Sequence, residues 1–378
     1  HRRRERDRVV GQESHQQAGY PACDARGDQG AAPGHPGYAH DGRLDEDDYD
    51  RLLRVYAGRV KLVAISGASN VTGYLSPIHR LAEKAHSAGA SILVDAAQMA
   101  PHRKVRMLPD DDPGHLDFVA LSAHKMYAPY GTGALIGPRA VFEKGIPDQV
   151  GGGTVDIVTV DDVKWTSPPD RDEAGSPNVV GAVALAQTIL SLQEIGMEAL
   201  AAHEAELTAH ALRQLQGIDG VEIYGMTNPD RAAERVGVIP FNVQGLDHYK
   251  VAAVLSFEGG IGVRNGCFCA HPYILRLMKI SAEEALRHQQ DIMDGTRVGL
   301  PGLVRISFGC YNTIEEVDHA ADVLARIAAG EVQGDYEQDP ISGACWPRGF
   351  EPDYEQYFSF QCGLSALPRT ERNPHCGV

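Results

Sequence analysis

The sequence contains no run of eighteen or more consecutive apolar residues, which is roughly the length that a transmembrane helix needs. We therefore expect no membrane span. It also lacks a surplus of basic residues, because 35 lysines and arginines are outnumbered by 51 acidic residues, for a formal net charge of -16. This balance argues against a nucleic-acid partner, since proteins that bind the phosphate backbone carry a basic surface.

Cysteine is sparse, and its count of seven is odd. The arginine-rich start, HRRRERDR, is not followed by the apolar region of a secretory signal. Disulfide frameworks are typical of short exported chains with an even number of cysteines. We therefore expect reduced thiols and a cytoplasmic protein.

The first 43 residues contain no Leu, Ile, Met, Phe or Trp. Such a segment buries too little apolar surface to offset the entropy lost on ordering. We expect residues 1–43 to be a disordered or non-native leader. Residues 331–378 are rich in Pro, Gly, Asp and aromatic residues, and they predict an irregular tail.

From Leu44 onward, short apolar segments alternate with amphipathic ones, and this spacing predicts an α/β fold with a mainly parallel sheet. We assign residues 44–195 to a larger domain and residues 196–330 to a smaller C-terminal α+β domain. The strands predicted in the larger domain are 61–65, 91–94, 118–121 and 133–136, and its helices are 44–56, 77–88 and a segment after Val179 that breaks near Gly196.

Polar side chains follow the ends of three of these strands, where open parallel sheets form their ligand crevice. They are Asn70 after the first strand, Asp95 and Gln98 after the second, and Ser122, His124 and Lys125 after the third. A lysine amine, a carboxylate and hydrogen-bond donors are what pyridoxal 5'-phosphate (PLP) requires, because the carboxylate keeps the pyridine nitrogen protonated. Each residue alone also fits a turn, a cap or a solvated surface, so the residues leave both interpretations open.

Seven stretches, in order along residues 41–329, resemble the class V aminotransferase group of fold-type I enzymes, nearest its cysteine desulfurase branch. They are ISGASNVTG, ILVDAAQ, LSAHKMYAPYGTGAL, GGGTV, EAGSPN, GVRNGCFCAHPY and VRISFGCYNTIEEVD. The resemblance implies the large domain of a fold-type I PLP-dependent transferase, N-terminally incomplete, with a smaller C-terminal α+β domain.

The resemblance also implies roles around the cofactor. Lys125 carries PLP as the internal aldimine, Asp95 pairs with the pyridine nitrogen, and Gln98 contacts the ring hydroxyl. Ser122 and His124 hold the phosphate.

Three further residues acquire roles from the same resemblance. Asn70 lies near the ring and the substrate. Arg305 clamps the substrate carboxylate, and a planar guanidinium suits this task because it donates two parallel hydrogen bonds. Ser176 reaches the phosphate of a partner subunit, which implies a homodimer.

Cys269 aligns with the nucleophilic cysteine of the desulfurases. The implied reaction removes sulfur from L-cysteine as a persulfide on Cys269, releases L-alanine, and passes the sulfur to an acceptor protein. The thiolate is the reactive form, and His271 or Arg264 nearby would lower the pKa of the thiol.

Alternatives remain open for this segment. Cys267, Cys269 and His271 form a C-x-C-x-H pattern, but it lacks a fourth metal ligand at the usual spacing, so we predict no metal site. If the cysteines are inert, the protein is an aminotransferase, lyase or epimerase that acts on another amino acid. A predicted helical insertion at residues 281–295 lengthens the interval from Cys269 to Arg305 and weakens the substrate assignment.

The last alternative is not an enzyme. We find neither the family's Gly/Thr phosphate loop nor its ring-stacking residue in residues 1–43. Without that loop the phosphate would lose backbone amide donors. An inactive truncated fragment of the same fold therefore remains possible.

Overall fold

The computed structural model describes the backbone of residues 8–11, together with residues 37–39 and 41–351. The remaining parts of the predicted leader and of the predicted tail lie outside the described residues.

The first sheet has five strands in the order β1-β2-β3-β4-β5. They are β1 (Arg8–Gly11), β2 (Val60–Ser66), β3 (Ser91–Asp95), β4 (Phe118–Ser122) and β5 (Gly133–Ile136). Strands β1 to β4 are parallel, which confirms the predicted mainly parallel sheet. Strand β5 is antiparallel to β4, because the connection from Ser122 to Gly133 is too short for the crossover of about a dozen or more residues that a parallel strand needs.

Strand β1 corrects the prediction for the leader. Its backbone pairs in parallel with β2, and Tyr38 forms an isolated bridge with Leu44. At these residues the structure differs from the expectation of disorder, and the assignment of residues 1–43 to a disordered or non-native leader stays a prediction. The composition of the whole segment hid a local signal, since β1 contains the adjacent β-branched residues Val9 and Val10.

Helices α1 (Glu46–Val55) and α2 (Ile78–Ser87) lie within two residues of their predicted bounds. The side chain of Asp45 caps α1 by accepting a hydrogen bond from the Asp48 amide at 3.1 Å. The hydroxyl of Tyr49, on the buried face of α1, donates to the Leu81 carbonyl of α2 at 3.0 Å. The two helices are thereby tied together beside the sheet.

The segment between the two sheets contains short elements and then two long helices. These are α3 (Arg139–Phe142), the hairpin of β6 (Val155–Val158) and β7 (Val163–Trp165), α4 (Val179–Ile195) and α5 (Met197–Gln216). Gly196 separates α4 from α5 with a φ of 96°, as the predicted break requires. Within the described ranges no single helix meets the length and apolarity needed to cross a membrane; α4 and α5 do so only as a pair bent by 75°.

The second sheet is antiparallel, in the order β10-β11-β9-β8. Its elements are β8 (Val221–Ile223), β9 (Val238–Val243), α6 (His248–Gly259), β10 (Arg264–Gly266), α7 (His271–Leu277), α8 (Ala282–Met293), β11 (Leu303–Ser307) and α9 (Ile314–Ala328). Helix α8 confirms that the predicted insertion at 281–295 is helical, and a capping box of Ser281 and Glu284 starts it.

The hydrophobic interior consists of two main clusters, and helix α5 contributes to both. Leu200 packs into the cluster beside the first sheet, whereas Leu207 and Leu212 belong to the cluster beside the second. The two sheets are therefore joined through a shared helix, and a domain boundary at residue 195 stays a prediction.

The described part of the tail is not wholly irregular, in contrast to the prediction. Strands β12 (Tyr336–Gln338) and β13 (Cys345–Pro347) form an antiparallel hairpin. The hairpin depends on helix α6, where the carboxylate of Glu258 accepts hydrogen bonds from the Gln333 and Gly334 amides. Strands this short carry little sequence signal, because a long-range contact of this kind stabilises them.

Candidate active site

A polar cavity of about 760 Å³ lies at the carboxyl ends of β2, β3 and β4, where the parallel topology predicted it. Strands β10 and β11 and the loop after β10 close its other side. Eight of the nine site residues predicted from the sequence line this cavity: Asn70, Asp95, Gln98, Ser122, His124, Lys125, Cys269 and Arg305.

Lys125 lies on a 3₁₀ turn that follows β4 directly. Burial is the main cause that lowers the pKa of its amine. Asp95 and Cys269 oppose this shift, while Arg305 and Arg264 add to it. The amine therefore loses its proton more readily than that of a solvent-exposed lysine, and a neutral amine is a nucleophile and a base.

Asp95 is the last residue of β3, and its backbone lies between Ser66 of β2 and Ala120 of β4. Its Oδ1 accepts a hydrogen bond from the Ala97 amide at 2.9 Å. The strand and this turn hold the carboxylate at the cavity. Its negative charge acts on Lys125, whose pKa it raises against the effect of burial.

His124 lies on the same turn as Lys125, and Ser122, the last residue of β4, directly precedes that turn. Ser122 Oγ and His124 Nδ1 are 3.0 Å apart, with Ser122 half-buried and His124 exposed at the rim. A hydroxyl and an imidazole can both donate hydrogen bonds to an anionic group. This corner of the cavity therefore suits a phosphate.

Asn70 connects the loop after β2 to the opposite wall. Its side-chain Nδ2 donates to the Phe268 carbonyl at 2.9 Å. Its backbone carbonyl accepts a hydrogen bond from Arg305 Nη1 at 2.7 Å. Asn70 Oδ1 is buried, and no hydrogen-bond partner is found for it among the described residues. Because buried polar atoms in proteins are normally paired, this oxygen is open to a ligand in the cavity.

Arg305 of β11 lies opposite Arg264 of β10 in the strand register. Burial, followed by the charge of Arg264, lowers the pKa of Arg305 to about 10, so the guanidinium remains protonated at neutral pH. The centre of its guanidinium lies 4.9 Å from the centroid of the Phe268 ring. An anion bound here would meet two positive charges.

Sequence reasoning missed Phe268, which holds Asn70 through its carbonyl and Arg305 through its ring. Its neighbour Cys269 was the only signal at this position. Phe268 and Cys269 have φ values of 49° and 61°, the left-handed region that non-glycine residues rarely adopt. Such conformations cluster at functional sites because the surroundings must hold them in place.

This turn places its two cysteines in different environments. Cys269 is exposed and lines the active-site cavity. Cys267 lies near Pro301, with its Sγ 3.3 Å from the carbonyl oxygen, and burial raises the pKa of its thiol to about 11. Cys269 is therefore the thiol that a substrate in the cavity can reach.

The C-x-C-x-H metal hypothesis does not fit this arrangement. Cys267 and His271 line a second cavity of about 670 Å³, whereas Cys269 lines the first. His271 therefore lines a different cavity from Cys269. Of the two residues proposed to activate the Cys269 thiol, only Arg264 lines the same cavity as Cys269.

Within the described part of the chain, one group of potential metal ligands does converge, at the opposite edge of the sheet: His86, His115 and Asp117. The two imidazole rings are stacked, with centroids 4.2 Å apart and planes 20° from parallel. One ion cannot lie close to the plane of both rings. His86 instead bonds Asp117 at 2.9 Å and ties α2 to the start of β4.

Ser176 is the one predicted site residue that does not line the cavity. It is exposed in the segment between β7 and α4. Its predicted contact is with a partner subunit, so a single chain does not test it.

The chain is similar to proteins of one known enzyme family. The model of the family "Aminotransferase class-V" matches residues 2–319. A probable cysteine desulfurase of Halalkalibacterium halodurans is 34% identical over 286 residues, which are 76% of this chain and 62% of that protein. A probable cysteine desulfurase of Halobacterium salinarum is 36% identical over 278 residues, 74% of this chain and 59% of that protein.

Solved structures agree on the fold. The apo cysteine desulfurase of Thermococcus onnurineus has a TM-score of 0.66 at 33% identity, over 78% of this chain and 66% of that one. The cysteine desulfurase CsdA of Escherichia coli has a TM-score of 0.64 at 27% identity, over 79% and 65%. The chain thus spans about 60% of the length of the curated relatives, and it has the fold of the fold-type I PLP-dependent transferases. Since the family model covers most of its residues, the chain belongs to the class V aminotransferase family.

Proposed function

We propose that the protein is a PLP-dependent cysteine desulfurase, which takes sulfur from L-cysteine and releases L-alanine. The observation that carries this proposal is the convergence of Lys125, Arg305 and Cys269 on one cavity. Lysine supplies the amine for the cofactor, arginine the contact for the substrate carboxylate, and cysteine the acceptor for sulfur. The names of the similar proteins support the same reaction.

The residues present fit PLP. Lys125 would carry the cofactor's aldehyde carbon, and Asp95 would face the pyridine nitrogen. Ser122 and His124 would hold the phosphate, and the unpartnered Oδ1 of Asn70 offers a buried acceptor to the bound groups. When bound, PLP draws electrons from the α-carbon of the amino acid, so that bonds at that carbon and its neighbour can break.

The chain's own residues would then act at defined atoms. Arg305 binds and orients the substrate carboxylate. Lys125 Nζ, whose pKa burial lowers, accepts and returns a proton. Cys269 Sγ, as a thiolate, bonds to the substrate sulfur and keeps it as a persulfide. The electron pair of the broken carbon–sulfur bond stays with carbon, which takes up a proton and leaves as alanine.

The first experiment tests the cofactor. Protein incubated with PLP should acquire a yellow chromophore, and reduction with borohydride followed by peptide mass spectrometry should place the label on Lys125. Lys125→Ala should lose both signals. A colourless wild-type protein would contradict the proposal and support the inactive-fragment alternative. That alternative is consistent with the chain's span of about 60% of the length of its curated relatives.

The second experiment tests the reaction. Wild type should form alanine and sulfide from L-cysteine in the presence of a reductant, and Cys269→Ser should lower this rate by at least about 10²-fold, since the nucleophile is gone. Cys267→Ser is the matched control, because that thiol faces away from the cavity. Unchanged desulfuration in Cys269→Ser, or amino transfer to a keto acid instead, would favour the aminotransferase, lyase or epimerase alternative.

A homodimer is part of the proposal, because the predicted role of Ser176 needs a partner subunit. The flanking segment 141–190 exposes many large apolar side chains, including Val180 at 61% and Val183 at 65%. A concentration of exposed apolar side chains in one segment is typical of an interface. Val180→Asp with Val183→Asp should turn a dimer into a monomer in analytical ultracentrifugation. Leu286→Asp, at an equally exposed site on α8, is the control, and a wild-type monomer would contradict the proposal.

A sulfur-acceptor protein is the other proposed partner. Cys269 is exposed, so a second thiol could approach a persulfide formed there. Transfer of labelled sulfur from Cys269 to an added acceptor thiol, absent in Cys269→Ser, would test this step.

A further inference from the structure

A series of polar contacts leads from the cavity into the interior of the protein. Gln98, which lines the cavity, has its Nε2 3.2 Å from Nε2 of His102. On the other side of the ring, His102 Nδ1 lies within ion-pair distance, 2.5 Å, of Oε1 of Glu204 on helix α5, and no aligned hydrogen bond to this buried oxygen is found among the described residues. The side chains of His102 and Glu204 are only 12% and 9% exposed. A residue that faces the cavity is thus joined to a carboxylate in the core.

Glu204 is held in its ionised form. Burial raises the pKa of its carboxyl, but His102, Arg103 and the Gly237 amide outweigh this effect, and the pKa lies below its usual value. Arg103 contributes one nitrogen 2.5 Å from Glu204 Oε2 and donates another to the Arg235 carbonyl at 2.6 Å. The carboxylate can therefore only accept hydrogen bonds.

The ionised carboxylate sets the tautomer of His102 whenever that ring is neutral. A ring nitrogen that faces a carboxylate carries the hydrogen, so the single proton of the neutral ring is on Nδ1. Nε2 is then an acceptor, and the group that faces it must be the amide nitrogen of Gln98. One amide hydrogen of Gln98 is bound to His102, which leaves the other hydrogen and the carbonyl oxygen for a ligand in the cavity.

We propose that His102 and Glu204 are positioning residues, which orient the carboxamide of Gln98 toward the ring hydroxyl of bound PLP. The inference rests on the proposed function, because it needs a cofactor at Lys125. The alternative is that the His102–Glu204 contact only ties helix α5 to the turn after β3. The two explanations differ in whether the affinity for PLP depends on the acceptor at residue 102 that faces Gln98.

Two variants of one residue separate these explanations. His102→Gln keeps an acceptor near the position of Nε2, so its contact with Gln98 survives. His102→Asn keeps a donor near Nδ1, so only the contact with Glu204 survives. We expect His102→Asn to raise the PLP dissociation constant about tenfold, the usual effect of losing one hydrogen bond, and to shift the absorption maximum of the bound cofactor. His102→Gln should stay within about threefold of wild type, with an unshifted spectrum.

Glu204→Gln tests the other end of the series. It removes the charge that holds the proton on Nδ1, so the ring can adopt the other tautomer and lose its acceptor at Nε2. We expect it to resemble His102→Asn in dissociation constant and spectrum. The nitrogen-15 shifts of His102 in cofactor-free protein should report a proton on Nδ1 in wild type and a mixture in Glu204→Gln.

His86→Asn is the matched control, because His86 makes a similarly buried contact with Asp117 at the opposite edge of the sheet. It should lower the unfolding temperature without changing the spectrum or the PLP affinity. If both His102 variants only lower the unfolding temperature of the cofactor-free protein, and the spectrum and affinity stay at wild-type values, the positioning role is wrong while the proposed function stands. If wild type does not bind PLP, the proposed function fails; the nitrogen-15 shifts then still show whether the series fixes the tautomer.

Discussion

The loop that carries Cys269 depends on one amide, that of Asn70. Phe268 and Cys269 adopt left-handed conformations, which cost about 1–3 kcal/mol each, so the surroundings must hold the loop. Asn70 Nδ2 donates to the Phe268 carbonyl at 2.9 Å, and Asn70 is only 9% exposed. Asn70→Ala removes this donor from a buried carbonyl, a loss of about 1–3 kcal/mol. The equilibrium for opening the loop should therefore increase by roughly five- to 150-fold.

Hydrogen exchange measures this opening directly. The Ala270 amide donates to the Cys267 carbonyl at 2.7 Å and closes the turn, so a peptide that contains residues 266–271 should exchange faster in Asn70→Ala by the factor above. Asn70→Asp keeps the shape but replaces the donor with a carboxylate oxygen, which repels the Phe268 carbonyl. The exchange should then be at least as fast.

Asn242 provides the matched control on strand β9. Its Nδ2 donates to the Gly302 carbonyl at 3.0 Å, and its Oδ1 is also buried without a partner among the described residues. Asn242→Ala should accelerate exchange near Gly302 and leave residues 266–271 unchanged. If Asn70→Ala leaves the loop within about twofold of wild type while Asn242→Ala acts as expected, the loop is held by other contacts and the reasoning is wrong.

Three further predictions follow from charges and caps. Asp95→Asn removes a negative charge that raises the pKa of Lys125, so this pKa should fall further, and acetylation of Lys125 should begin at lower pH than in wild type; an unchanged profile would contradict the coupling. Ser281→Ala breaks the capping box of α8, at a cost of about 0.5–2 kcal/mol, and should speed hydrogen exchange in α8 but not in α9, which Thr313 caps separately. Glu204 has a pKa below its usual 4.5 in the folded state, so the ionised carboxylate stabilises the fold above pH 4.5 and loses this contribution as the pH falls through the folded pKa. Glu204→Gln should therefore make the acid unfolding curve, followed by circular dichroism, less steep. An equally steep curve in Glu204→Gln would refute this.

The half of the site on the parallel sheet could be predicted from sequence. Short apolar strands that alternate with helices imply parallel neighbours, and parallel neighbours place their carboxyl ends at one edge. Asp95 and Lys125 each follow such a strand, so their meeting follows from topology without any distance information. The motif resemblance added roles to positions that the topology had already brought together.

The other half depends on contacts that no local pattern encodes. Asn70 and Phe268 are 198 residues apart, and their hydrogen bond exists because the second sheet packs against the first. His102 and Glu204 are typical of a turn and of a helix surface when each is considered alone, and only the packing of α5 reveals their contact. Strand β1 and the hairpin of β12 and β13 were missed for the same reason, since their pairing partners decide their structure.

The distribution of charge over the two walls argues for a class of substrate. The wall from the parallel sheet brings a carboxylate, Asp95, and an amine of lowered pKa, Lys125, whereas the wall from the antiparallel sheet brings the guanidinium groups of Arg264 and Arg305. An α-amino acid carries a carboxylate and an amine on one carbon, so its carboxylate meets the arginines only when its amine faces Lys125. With both ends fixed, the side chain can point to few places, and Cys269 lies on the same wall as the arginines. Under the proposed function, a sulfur atom on a short side chain is what a thiolate at that position would attack, so Cys269→Ser should lower desulfuration by at least about 10²-fold yet leave the binding of the amino acid in place.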